Sequence, residues 1–130
     1  MKDEKIAICI MSGGLDSLCA AAYVKSYKKY ALKIAVVSNE GRELAEYRIK
    51  QFKLNTFADF FIVSSFVHFR KPDADIFRIA LDTAQVRPSE VVYLEDRPMF
   101  VQVAKSLGVH GLRHIDYKTT CEKLEKFGFK

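Results

Sequence analysis

Short apolar, β-branched runs alternate with amphipathic stretches of helical length along nearly the whole chain. The runs at 6–11, 33–38, 60–63, 91–94 and 109–112 predict strands, and the stretches between them carry apolar residues at helical spacing. This alternation predicts an α/β fold, a Rossmann-like three-layer sandwich in which a five-stranded, mostly parallel sheet carries helices on both faces. The first helix is expected to begin near Ser17, with Leu18, Ala21, Ala22 and Val24 on its apolar face. A second spans 43–52. The third starts at Asp73, whose side chain can cap it, and turns Ile76, Phe77, Ala80, Leu81 and Ala84 inward. A fourth runs from Pro98 to about Leu107 and stops at Gly108, and the last covers 119–127.

With 130 residues, 49% of them apolar and 28% charged, the chain is expected to form one domain over 1–130. A domain of this size buries roughly two-thirds of its unfolded surface. The net charge of +5 favours anionic ligands, but the lysines are scattered along helices and no nucleic-acid module accompanies them. Cys9, Cys19 and Cys121 are odd in number and lack metal-ligand spacing, which fits a reduced, cytoplasmic protein. No apolar run is long enough for a membrane span, and Lys2-Asp3-Glu4-Lys5 is not a signal-peptide pattern. His68, His110 and His114 share no metal-ligand spacing, and Phe57, Phe60, Phe61, Phe66 and Phe69 cluster around the third strand. That cluster predicts packing, and any part left exposed would mark a homodimer contact.

In an open parallel sheet the ligand crevice lies beyond the carboxyl ends of the strands. Ser12, Ser38, the loop before Lys71, and Glu95 with Asp96 all fall at such ends. Ser38 can donate to a phosphoryl oxygen, helped by Asn39 and the turn that follows, or it can simply start the next helix. Pro72 disfavours helix at Lys71 and holds that lysine in an extended loop, where it would neutralise a phosphoryl group or lie solvated. Adjacent carboxylates at Glu95 and Asp96 repel unless a cation lies near, and hard oxygen ligands suit Mg²⁺. Asp96 is also placed to cap the fourth helix.

Between residues 33 and 116, Lys71-Pro72-Asp73-x-x-Ile76-Phe77, Glu95-Asp96-Arg97-Pro98 and Ala104-x-x-x-Gly108 follow in an order that resembles the C-terminal half of the haloacid dehalogenase (HAD) superfamily core. The resemblance implies hydrolysis of a phosphoester, with Lys71 and Ser38 at the phosphoryl group and Glu95 and Asp96 at Mg²⁺. It also implies an aspartate nucleophile at the end of the first strand, where this chain has Ile10, Met11, Ser12, Gly13 and Gly14. Asp16 is the candidate replacement, and Glu95 stands where the family usually has aspartate. The segment Ser12-Gly13-Gly14-Leu15-Asp16-Ser17 is similar instead to the pyrophosphate-binding loop of ATP pyrophosphatases, so Ser12, Gly13, Gly14 and Ser17 join the candidate phosphate ligands. Residues 12–32 suffice for one helix and no cap domain.

Two functions stay open on these residues. One is a capless Mg²⁺-dependent phosphoester hydrolase, weakly active or inactive, acting on a phosphorylated small molecule or a protein-bound phosphate. The other is a non-catalytic phosphate- or nucleotide-binding module that uses the Ser12–Ser17 loop. Adenylyl transfer ranks below both. A receiver domain lacks its acidic pair at 11–14 and its aspartate at 64–67.

Overall fold

The computed structural model describes residues 9–11, 34–56 and 58–126, with backbone alone for 9–11. Five parallel strands alternate with helices: β1 (Cys9–Met11), β2 (Ala35–Ser38), α1 (Arg42–Gln51), β3 (Phe60–Val63), α2 (Ser64–Val67), α3 (Ala74–Ala84), β4 (Val92–Glu95), α4 (Pro98–Ser106), β5 (His110–Arg113) and α5 (Tyr117–Lys126). The Ser12–Ser17 loop and the helix expected after it lie outside the described residues.

β4 is flanked by β1 and β5, with Met11 opposite Leu94 and Glu95 opposite Arg113. β2 pairs with β3, Ser38 facing Val63. The expected single five-stranded sheet is therefore, among the described residues, a three-stranded and a two-stranded sheet. β1 lies beside β2, but its described part is three residues long and makes its ladder to β4. The pairs within each sheet are parallel, so Met11 ends beside Glu95 and Ser38 beside Val63, and the contacts of Asn39 with Lys71 and of Lys71 with Glu95 bring these ends together.

β2 is buried throughout, and its alternating side chains meet helices on both faces. Ala35 and Val37 join Ile62, Ile76, Phe77, Ala80, Phe100 and Ala104 in the main core. Val36 and Ser38 face the other way, bordering a narrow crevice with Ala45, Arg48 and Ile49 of α1. Within the main core, Phe77 and Tyr93 meet edge to face, their ring centroids 5.1 Å apart.

Local signals explain most boundaries. Asp73 caps α3 by accepting from the Asp75 N–H at 3.0 Å, as its position predicts. Pro98 opens α4, and Gly108, at φ 92°, reverses the chain just after it. α5 starts earlier than its apolar spacing predicts, because Asp116 accepts from the Thr119 N–H at 2.8 Å. The four-residue α2 is too short to leave a periodic signature. No helix among the described residues is long and apolar enough to cross a membrane.

α4 crosses β5 closely at Gly111, where an added Cβ would lie 2.8 Å from Val101 Cγ1 and 3.2 Å from the Val101 carbonyl oxygen. Gly111→Ala should therefore cost about 1–3 kcal/mol of stability, read from the urea denaturation midpoint. An unchanged midpoint would contradict this packing.

Candidate functional site

Lys71 sits at the strand ends yet is only 2% exposed, and its Nζ donates to Glu95 Oε1 at 2.9 Å. Glu95 is 1% exposed and is satisfied on both oxygens. Oε1 also accepts from the Tyr93 hydroxyl. Oε2 accepts from the backbone N–H groups of Asp96 and Arg97 at 3.1 and 3.2 Å. Tyr93 and Glu95 lie two residues apart on β4 and so share a face, which is why the phenol reaches the carboxylate.

Burial pulls the Lys71 ammonium below its ordinary pKa, and the attraction of Glu95 offsets only part of that. Burial, followed by the Glu95 charge, pushes the Tyr93 phenol far above its ordinary range. Tyr93 therefore remains a hydrogen-bond donor at any physiological pH. The Phe100 ring lies 5.1 Å from Lys71 Nζ and gives the cation a second partner.

The loop that carries Lys71 is clamped to the end of β2. Asn39 accepts from the Lys71 N–H at 2.8 Å and donates to the Lys71 carbonyl at 2.9 Å. Its side-chain amide thus holds backbone, while the sequence suggested a phosphate contact. The Lys71–Pro72 peptide bond is cis.

Ser38, 1% exposed, directs its hydroxyl to Glu40 Oε1, and Glu40 Oε2 pairs with Arg48 at 2.8 Å. Glu40 is thus an internal anion on the hydroxyl expected to hold phosphate. A cleft of about 360 Å³ opens here, bordered by Ser38, Asn39, Glu40, Leu44, Arg48, Arg70, Lys71, Arg97 and Phe100. Four of these side chains are cationic and one is acidic, so among the described residues the lining favours an anion.

The structure brings Ser38, Asn39 and Lys71 to one cleft, with Glu95 behind Lys71 and exposed Asp96 following it. Ser12, Gly13, Gly14, Asp16 and Ser17 lie outside the described residues. Arg48 and Tyr93 were not singled out by the sequence. The period-two relation of Tyr93 to Glu95 could have revealed one of them. Nothing local marks the pairing of Glu40 with Arg48.

Lys71→Met would leave Glu95 buried without its cation and should cost about 3 kcal/mol, with much of the loss recovered when Glu95→Gln is added. A double-mutant cycle in urea measures this. A single-variant cost below about 1 kcal/mol would show that the pair is not the buried contact described.

The profile of haloacid dehalogenase-like hydrolases matches residues 20–113. A phosphorylated carbohydrates phosphatase of Thermotoga maritima is 30% identical over 90 residues, covering 69% of this chain and 40% of that protein. Among solved structures, an uncharacterized protein of Corynebacterium glutamicum superposes with a TM-score of 0.77 at 19% identity, covering 96% of this chain and 93% of that one. An HAD-family enzyme of Bacteroides thetaiotaomicron, solved with magnesium and inorganic phosphate, gives 0.63 at 22% identity, covering 78% of this chain and 51% of that one. The chain thus spans less than half the length of the Thermotoga phosphatase. Profile, relatives and fold agree that this chain belongs to the haloacid dehalogenase-like hydrolases.

Proposed function

We propose that this chain is a Mg²⁺-dependent phosphoester hydrolase domain with a degenerate first motif. The buried Lys71, fixed by Glu95 at the rim of a cationic cleft, carries the reading. A preorganised cation in a low-dielectric wall stabilises charge on a phosphoryl group more than a solvated lysine could. Ser38 orients the same group once its hydroxyl turns from Glu40. The anion then takes the place of the Glu40 carboxylate, and Arg48 stays beside it.

The metal assignment divides the acidic pair. Both Glu95 oxygens already accept from Lys71, Tyr93 and two backbone N–H groups, so its role in this reading is to hold Lys71. Exposed Asp96 is the carboxylate that suits Mg²⁺, which takes one or two protein carboxylates and keeps water and phosphate as further ligands. No group of three potential ligands exists among the described residues. When bound, Mg²⁺ would neutralise and polarise the phosphoryl oxygens.

In sequence β1 is followed by Ser12-Gly13-Gly14 without a carboxylate, so Asp16 is the candidate nucleophile or base and slow turnover is expected. The loop Ser12, Gly13, Gly14 and Ser17 would add phosphate donors. A single five-stranded sheet without a cap completes this reading, and its substrate is a phosphorylated small molecule. The engagement of Ser38 by Glu40 also favours a second reading, a phosphate-binding module without turnover.

Phosphate release from a phosphoester panel, with and without Mg²⁺, separates the two. The hydrolase reading predicts Mg²⁺-dependent turnover that falls at least about a hundredfold in Lys71→Ala and in Asp16→Asn, with folding checked by circular dichroism. Wild-type release equal to that of both variants would sink it. In calorimetry with orthophosphate, Glu40→Gln should bind several-fold more tightly, because a like charge leaves the cleft. Weaker binding would refute the displacement of Glu40.

A further inference from the structure

The four cationic side chains that border the cleft are not equivalent. Arg48 is paired with Glu40, and Lys71 with Glu95. Arg97 is exposed, and no carboxylate among the described residues forms an ion pair with its guanidinium. What it has instead is a ring. Its Cζ lies 5.7 Å from the ring centroid of Phe100, a 6% exposed residue that borders the same cleft. A cation at that distance over an aromatic face is attracted by the negative potential of the ring. Lys71 Nζ shares the ring at 5.1 Å.

The two cations depend on Phe100 unequally. Lys71 is buried, clamped by Asn39 through its backbone and held by Glu95 through its ammonium. The backbone of Arg97 is fixed as well, since its N–H donates to Glu95 Oε2 and its carbonyl accepts from the Phe100 and Val101 N–H groups. Its side chain has only the ring among the described residues. Burial dominates the fall of the Lys71 pKa and the Arg97 charge adds to it, so the two cations repel. Without the ring, repulsion and hydration would draw the guanidinium out into water, and each binding event would have to order it again.

We propose that Arg97 is a further anion-binding residue of the cleft and that Phe100 is its positioning residue, holding the guanidinium beside Lys71 before an anion arrives. The proposal rests on the cleft binding a phosphoryl group.

Calorimetry with orthophosphate on the full chain tests it. Arg97→Met should weaken binding about tenfold. Mono-, di- and trifluorinated phenylalanine at position 100 drain negative potential from the ring face with little change in shape. Affinity should fall stepwise along that series, by about fivefold at its end, while the circular dichroism spectrum is unchanged. In the Arg97→Met background the same series should stay within about twofold, a dependence that a merely structural ring would not show. Orthophosphate binding left intact by Arg97→Met, or a fluorine series that is flat in the wild type or equally steep without Arg97, would overturn the proposal while leaving the phosphate cleft standing. Failure of the wild type to bind orthophosphate would overturn the cleft assignment and this proposal with it.

Discussion

The buried contact between Lys71 and Glu95 joins the loop that precedes α3 to the end of β4, and the site is built around it. Desolvating an ammonium and a carboxylate costs several kcal/mol, and an apolar pair of similar volume would often stabilise a core as well or better. The fold meets that cost with the Tyr93 hydroxyl, two backbone N–H groups and the Phe100 face. Such an investment at the open end of a parallel sheet is better explained by chemistry than by stability.

The same constraint distributes roles among the neighbours. Asn39 cannot spare its amide for a ligand while it clamps the Lys71 backbone, and Glu95 cannot spare its oxygens while it holds the ammonium. In the proposed reading, ligand contact falls to the groups around them: Ser38, Arg70, Arg97, exposed Asp96 and the far side of Lys71. Glu40 balances this cationic lining through Ser38 and Arg48. Exchange of that internal carboxylate for a phosphoryl group would keep an anion beside Ser38 and Arg48.

The strands and the positions of Ser38, Lys71 and Glu95 were legible because short β-branched apolar runs, a proline after lysine and an acidic pair after a strand are local signals. α3 was legible for the same reason, with Asp73 at its start and five apolar residues on one face. The tasks of individual side chains were less so. Asn39 and Glu95 look like ligand residues in sequence and turn out to hold Lys71, a distinction that depends on contacts 32 and 24 residues apart.

The central claim is that Lys71, fixed by Glu95, presents its cation to a bound phosphoryl group. A crystal structure grown with Mg²⁺ and orthophosphate tests it most directly. The account predicts phosphate within hydrogen-bonding distance of Lys71 Nζ and Ser38 Oγ, the metal on Asp96, and the Glu40 carboxylate turned away from Ser38. Phosphate bound elsewhere, with Ser38 still donating to Glu40 and Lys71 directed wholly at Glu95, would contradict it.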